Sequence, residues 1–348
     1  MIRTLLVPVL ASVFFVSACG DDGGGANDAM SSADASADAT AADAPGPDAN
    51  VTMPTSLRDT GLYSDFAGGV VSSDVQEYEV KYILWSDGAT KRRWIYLPPG
   101  TQIDTTDMDY WVFPVGTKLW KEFTRDGTRI ETRLLQKNGT DDWFMMAYAW
   151  NAAQTEADAV EDGVVDALGT NHDVPNTADC NNCHGKLADS VLGFGAIQLS
   201  HSQAGLTIDG LISAGSLTTD PPAGGYTIPG DTTVEPALGY LHANCGGCHH
   251  ADSPLIGAIP MRLRMNVGDT ATDQTGAYQT AYCVAPTLGA GGATSIVEGG
   301  DPSSSAMHYR MNLRSAQQMP PIGTEDVDTA GLAIIDAWIN SLPSCPAP

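Results

Sequence analysis

Two short cysteine motifs constrain this chain more than any other feature of its sequence. The pentapeptide CNNCH occupies residues 180–184, and CGGCH occupies residues 245–249. In a C-x-x-C-H motif the two thiols can add to the vinyl groups along one edge of a haem, while the adjoining His binds the iron. The sequence therefore predicts two covalently bound haem c groups, held by Cys180, Cys183, Cys245 and Cys248, with His184 and His249 as proximal iron ligands.

Paired cysteines are also open to other chemistries, namely a zinc site, a redox dithiol or small disulfides. A zinc ribbon places its two C-x-x-C pairs about 15–20 residues apart, whereas residues 184–244 separate the two pairs here. A dithiol oxidoreductase needs one pair in a thioredoxin-like setting and has no use for a His after both pairs. We therefore favour haem attachment at both motifs.

The amino-terminal residues predict export and lipid anchoring. Residues 1–19 contain Arg3, an apolar run over residues 5–16 and small residues before Cys19, as in a secretory signal. The end of this segment, VSAC, resembles the bacterial lipobox, in which the Cys is lipidated. Residues 20–50 contain seven Asp and no basic residue, so a flexible spacer is expected. We expect an exported protein, bound to the membrane by its N-terminal lipid on the periplasmic face of the outer membrane or at the cell surface.

The charge balance excludes some partners. The chain has 17 Lys and Arg against 42 Asp and Glu, a net charge of −25. Binding to nucleic acid is therefore electrostatically unfavourable, and cationic partners are favoured. We expect an extracytoplasmic redox protein or dehydrogenase as electron donor or acceptor.

Two of the seven cysteines remain after these assignments. They are Cys283 and Cys345. Because a thiol outside the cytoplasm is exposed to oxidation, we predict that they form a disulfide that ties down the carboxyl-terminal end.

The pattern along the chain predicts an α+β multidomain protein. Runs rich in β-branched and aromatic residues, separated by turn-formers, indicate antiparallel strands at 91–97, 110–113, 118–124, 129–136 and 143–150. Beyond residue 162 the sequence changes to loops and short helices, and all seven His lie there. The predicted division is a signal peptide (1–19), an acidic linker (20–50), a β-rich domain (51–163), a first haem module (164–231) and a second haem module (232–348).

The second module has the order of parts of a known fold. A helix is predicted from about Pro236 to the Cys pair, QMPPIG forms a loop around Met319, and a terminal helix follows over about 328–342. This order resembles the class I cytochrome c fold. The resemblance implies that Met319 is the distal iron ligand, and His plus Met ligation leaves no open position on the iron.

The first module lacks such a Met loop, because no Met lies between His184 and Asn244. We favour His201 as its distal ligand. A vacant position is an alternative, and so are other side chains: His172, Met145, Met146, Met307 and Met311.

Residues 57–345 resemble a family of bacterial two-haem c-type cytochromes with an N-terminal β domain. The segments that carry the resemblance are YILWSDGATKRRWIYLPPG, FPVGTKLWKEF, IETRLLQ, YAWNAAQTEAD, VPNTADCNNCH, VLGFGAIQLS, YLHANCGGCHHADSP and MPPIG. The resemblance implies an electron-acceptor role and names no substrate. Sequences of this family commonly carry Asn or another polar residue near position 201, where this chain has His201.

Three functions are compatible with these patterns. The leading one is electron transfer between extracytoplasmic partners, and the second is a peroxidase-like enzyme in which the first haem keeps an open position. The third is partner or glycan binding by an aromatic groove formed by Trp85, Trp94, Trp111 and Trp120.

Two acidic residues of the β-rich domain receive no catalytic role. Asp87 precedes a Gly, which is ordinary turn chemistry. Glu131 is expected to pair with Arg125 or Arg133.

Overall fold

A computed structural model of the chain describes residues 53–346. The predicted signal peptide, the lipidation site Cys19 and the whole acidic linker (20–50) lie outside these residues. None of the helices between residues 53 and 346 is long and apolar enough to cross a membrane.

A six-stranded antiparallel sheet dominates the first half of the described chain, and its strands follow one another in sequence order. The strands are β3 (Gln76–Glu77), β4 (Thr90–Tyr96), β5 (Lys118–Arg125), β6 (Thr128–Gly139), β7 (Asp142–Trp150) and β8 (Ala157–Ala159). A separate two-stranded hairpin, β1 (Tyr63–Asp65) and β2 (Val70–Val71), precedes them.

The two faces of this sheet pack against different parts of the chain, because side chains alternate along each strand. On one face Trp94, Trp120, Leu134 and Met146 join a core that includes Leu57. The opposite face carries Ile95, Leu119 and Leu135, which pack with residues from the segment 191–217. The first predicted haem module therefore lies on the sheet.

The prediction that four Trp side chains form an exposed aromatic groove is wrong. Trp94 and Trp120 are buried on one face of the sheet, whereas Trp111 is buried in the core on the other. Trp85 is half-buried and donates from its indole nitrogen to the backbone oxygen of Asp326. These rings do not share an exposed surface.

Short helices make up the second half. They are α1 (Thr177–His184), α2 (Ala196–Leu199), α3 (Ile208–Ser213), α4 (Val234–Asn244), α5 (Gly276–Thr280), α6 (Ala306–Met311) and α7 (Thr329–Ser341). Single turns of 3-10 helix occur at Leu57–Thr60, Ala167–Gly169, Thr272–Gln274 and Pro302–Ser304. The α+β prediction is confirmed.

The largest helical core surrounds α4 and α7. The predicted apolar face of α7, which includes Ile335, Trp338 and Ile339, is buried in this core beside Leu238 and Leu241 of α4. A disulfide joins Cys283 to Cys345 beside it, which is the pairing that the sequence predicts.

Most predicted elements occur with small shifts of their ends, and one does not. Residues 110–113 form no strand, because Val112 makes only an isolated bridge with Asp104. The described residues, 53–346, all belong to one compact unit. The boundaries predicted near residues 163 and 231 therefore mark changes of secondary structure within this unit.

Candidate functional site

One large cavity lies between the sheet and the helices. Its volume is about 1270 Å³, which exceeds the range of about 300–1,000 Å³ usual for a small-molecule site. Both C-x-x-C-H motifs and Met319 line it: Cys180, Cys183, His184, Cys245, Cys248 and His249. The folded chain thus brings every predicted haem-attachment residue to the same cavity.

The four motif cysteines are free thiols, each partly buried. Cys183 and Cys248 come from different motifs, and their thiols are close enough to interact. This interaction raises the pKa of Cys183 and lowers that of Cys248 to about 7. Two sulfur atoms that are far apart in sequence are therefore neighbours in the cavity wall.

His184 is held in a defined tautomer. It ends α1, a helix that begins after Asn176, whose side chain accepts a hydrogen bond from the amide of Asp179. The Nδ1–H of His184 donates to the backbone oxygen of Ser190 at 2.6 Å, which leaves the lone pair of Nε2 free. Burial lowers the pKa of His184 to about 4, so the ring is neutral near pH 7.

His249 follows α4 and is also buried in the cavity wall. Its Nδ1 has no hydrogen-bond partner among the described residues. Burial lowers the pKa of this ring as well. Most buried polar atoms in proteins have a partner, so this nitrogen is an unusual, unsatisfied polar group in the cavity wall.

The loop that carries Met319 is fixed by hydrogen bonds. The amide of Met319 donates to the backbone oxygen of Arg310 at 3.0 Å. The side chain of Gln318 donates to the backbone oxygens of Pro320 and Thr324. Met319 is therefore presented to the cavity from a tethered loop.

The structure does not bring His201 to this cavity. Its Nε2 lies 3.0 Å from the backbone oxygen of Glu79, and its Nδ1 accepts from the amide of Gln203 at 3.1 Å. Both ring nitrogens are therefore occupied, and the prediction that His201 binds iron finds no support. The other candidates all line the cavity: His172, Met145, Met146, Met307 and Met311.

His172 belongs to a buried acid–base group. Its Nε2 is 2.7 Å from Glu131 Oε1, and Glu131 also accepts two hydrogen bonds from Arg133. The predicted pairing of Glu131 with Arg133 is thus confirmed. Burial raises the pKa of Glu131, but Arg133 and His172 outweigh burial and hold this pKa below its usual value.

The lining of the cavity is far less acidic than the chain as a whole. Seven of the 17 Lys and Arg line it, together with seven of the 42 Asp and Glu. No sequence pattern predicted these basic residues as part of a site. The basic side chains are Arg93, Lys121, Arg133, Lys186, Arg264, Arg310 and Arg314.

Two of these cations carry unsatisfied atoms. The Nε atoms of Arg264 and Arg314 are buried and have no hydrogen-bond partner within residues 53–346. Over the same range, no three His, Cys, Asp or Glu side chains group together as ligands of a metal ion.

Comparisons with protein-family models, with curated proteins and with solved structures find no match to this chain. The family resemblance of the sequence therefore stays a prediction.

Proposed function

We propose that this protein is an exported, lipid-anchored c-type cytochrome with two covalently bound haems that passes electrons between extracytoplasmic redox partners. The observation that carries the proposal is the single cavity onto which both C-x-x-C-H motifs and Met319 open. Haem iron held there would supply a reversible one-electron couple.

The residues that line the cavity are suited to hold covalently bound haem. The motif thiols are free to form thioethers, and Nε2 of His184 keeps its lone pair for a metal. The unsatisfied nitrogens of His249, Arg264 and Arg314 lie in the same wall, where a ligand would satisfy them. Basic side chains and apolar ones together suit a flat apolar group that bears carboxylates.

Each side chain has a defined task in this proposal. His184 and His249 would each bind one iron, and Ser190 orients His184 through the bond to Nδ1. Met319 would close the sixth position of the second iron, because its loop is tethered in the cavity wall. Since Cys183 and Cys248 are neighbours, groups attached to them start from adjacent sulfur atoms. A short path between the two groups favours electron passage.

The test is a count of covalent haem per chain. The protein would be produced in a bacterium with the c-type cytochrome maturation system, and haem would be counted by pyridine haemochrome absorbance and intact mass. We expect two haems in the natural chain, one in Cys180→Ala with Cys183→Ala, and one in Cys245→Ala with Cys248→Ala. The matched control, Cys283→Ser with Cys345→Ser, also loses two cysteines and should keep both haems. A natural chain without covalent haem would overturn the proposal.

A second candidate is a peroxidase-like enzyme, and the group formed by His172, Glu131 and Arg133 favours it. Two of its members, His172 and Arg133, line the cavity that also contains the first motif, and Glu131 holds both of them from behind. An imidazole held by a carboxylate can move a proton, and a guanidinium can stabilise negative charge. His172 could take a proton from hydrogen peroxide and return it to the departing oxygen. Reduction to two waters would consume two further protons and two electrons from the redox partner.

Spectroscopy and turnover distinguish these two functions. Electron transfer predicts two low-spin irons that do not bind cyanide. The enzyme predicts a high-spin fraction that binds cyanide, together with peroxide turnover that is lost in His172→Gln while the haem count stays at two. Met319→Ala should open only the second iron in either case.

A further inference from the structure

Three cations stand side by side on the sheet. Arg93 of β4 is directly opposite Lys121 of β5, and Lys121 is directly opposite Arg133 of β6. We refer to Arg93, Lys121 and Arg133 as the basic ladder. Side chains of directly opposed residues lie about 4.5–5.5 Å apart at Cβ, and like charges in such pairs are destabilising. The arrangement therefore requires a source of compensating negative charge.

The protein supplies only part of that charge. Arg133 pairs with Glu131 at 2.5 Å, and Arg93 lies 3.6 Å from the half-exposed Glu79. Lys121 forms no ion pair or side-chain hydrogen bond with any residue that the structure describes. Burial lowers the pKa of Lys121 to about 7, and the neighbouring cations Arg93, Arg133 and Lys91 contribute to this shift. The centre of the ladder is thus a half-buried lysine with no counterion within residues 53–346.

A solvated surface does not explain the ladder. Arg93 is only 4% exposed, and all three side chains line the cavity. Apolar residues at these positions would fill the same wall without the desolvation penalty of a buried charge. The adjoining residues of the same face, Ile95 and Leu119, are apolar and buried. Three adjacent cations at inward-facing positions therefore indicate an anionic occupant.

The positive charges of the basic ladder affect the side chains of the first C-x-x-C-H motif. The charge of Arg133 acts on the thiols of Cys180 and Cys183, and the charge of Lys121 acts on Cys183 and His184. Apolar side chains, among them Phe123 and Phe194, line the cavity with them. A small free anion would gain little from these apolar contacts. A porphyrin has an apolar ring and two carboxylates on one edge. It would therefore match both the apolar and the basic residues of the cavity wall.

We infer that the basic ladder binds the carboxylates of the haem attached at Cys180 and Cys183, so that the β-sheet forms one wall of the first haem site. The inference rests on the proposed function and assigns to the β-rich region a role that the motifs do not give it. Lys121 contributes the uncompensated charge, while Arg93 and Arg133 contribute donors that remain after pairing with Glu79 and Glu131.

The first experiment is a redox titration of the haem-loaded protein with Lys121→Met, which keeps the length of the side chain and removes its charge. Loss of a cation beside the carboxylates favours the oxidised iron, so the midpoint potential of one haem should shift downward and that of the other should stay unchanged. The matched control is Arg92→Gln. Arg92 is the preceding residue on β4, points to the other face and pairs with Glu77 at the surface, so both potentials should keep their values.

The second experiment reads the melting temperature of the same haem-loaded variants. Lys121→Met should lower it, because a haem carboxylate loses its partner. Arg92→Gln should change it little, because it breaks only an exposed ion pair.

Three outcomes would overturn the inference. One is two attached haems with potentials and melting temperatures that Lys121→Met leaves unchanged. Another is conversion of one iron from low-spin to high-spin in Lys121→Met, which would make the lysine amine an iron ligand instead of a carboxylate partner. The third is absence of haem from the natural chain, and this result alone would also overturn the proposed function.

Discussion

The two C-x-x-C-H motifs are alike in sequence but differ in what supports them. The helix before the second motif, α4, buries Val234, Ala237, Leu238, Gly239, Leu241 and His242. The helix that contains the first motif, α1, buries none of its residues. The second motif is thus supported by a core of helices from its own half of the chain. The first motif depends on β7, against which α1 packs, and on the loop after it.

This difference teaches that a C-x-x-C-H motif does not need a complete module of its own. A local core can hold the second motif in place, because α4 and α7 bury apolar residues in the same cluster. At the first motif the same task falls to contacts between the sheet and the segment after α1, both apolar ones and the polar ones of Asp189. Substitutions at these two kinds of support should therefore have different effects.

The largest effect is expected at Asp189, which ties the loop after α1 to the sheet. Its Oδ1 accepts from Lys137 Nζ at 2.6 Å and from Trp143 Nε1 at 2.9 Å, and its Oδ2 accepts from the amide of Phe113 at 2.5 Å. Asp189→Ala leaves Lys137 buried and unpaired, which should reduce the free energy of unfolding by about 3–5 kcal/mol. Urea unfolding measures this change.

In the two-haem protein that we propose, the same variant should also disturb the first iron selectively. Residue 190, the neighbour of Asp189, supplies the carbonyl that orients His184. We expect the optical spectrum of one haem to change and the other to be preserved. The matched control is Glu77→Gln, which breaks an exposed ion pair with Arg92 and should cost about 0–1 kcal/mol. Equal losses in the two variants would contradict the assigned dependence on the sheet.

A smaller effect is expected where the two regions meet, at Gly239 of α4. A Cβ at this position would overlap the ring of Tyr82, which comes from the segment between β3 and β4. Tyr82 also donates from its hydroxyl to Glu235 and from its amide to Gln198 Oε1. The ring is therefore held in place, and Gly239→Ala should cost about 1–3 kcal/mol through overpacking.

The control for that substitution is Gly257→Ala, because nothing lies within 4 Å of the added Cβ there. Both variants would be compared by chemical unfolding. If Gly239→Ala were as stable as Gly257→Ala, the second motif would be less dependent on the β-rich region than the contact with Tyr82 indicates.

At neutral pH the smallest effect is expected at His242, in the helix before the second motif, where the consequence is a pH dependence of stability. This ring is buried, and its Nδ1 accepts from the amide of Met265 at 3.1 Å. Burial, with a smaller contribution from Arg264, lowers the pKa of His242 to about 3. An unfolded His takes up its proton near pH 6.5. Between about pH 6.5 and 3 the unfolded state therefore binds more protons, and stability falls as the pH is lowered.

Replacement by a residue that does not titrate should flatten this dependence. We expect the unfolding free energy of His242→Asn to fall less steeply than that of the natural protein below pH 6.5, by up to about 1.4 kcal/mol per pH unit. Urea unfolding at a series of pH values provides the measurement. Parallel curves for the two proteins would show that His242 is not the group that titrates.

Local patterns were sufficient to predict much of the chain. The alternation of β-branched and aromatic residues predicted β4 to β7, and the apolar period near the carboxyl-terminal end predicted α7 (Thr329–Ser341). The cysteine count also predicted the disulfide between Cys283 and Cys345. These features depend on neighbours in sequence or on simple chemistry, so no knowledge of the tertiary structure was needed.

The other features of the fold and of the candidate site depend on contacts between segments that are distant in sequence. The sequence placed the two motifs in separate modules, whereas the folded chain brings Cys183 next to Cys248. His201 was predicted as a ligand but bonds to the backbone of Glu79. The basic ladder exists only because three strands align Arg93, Lys121 and Arg133 in register. Loops rich in Gly and Pro join these segments, and their directions are set by packing, which no local periodicity encodes.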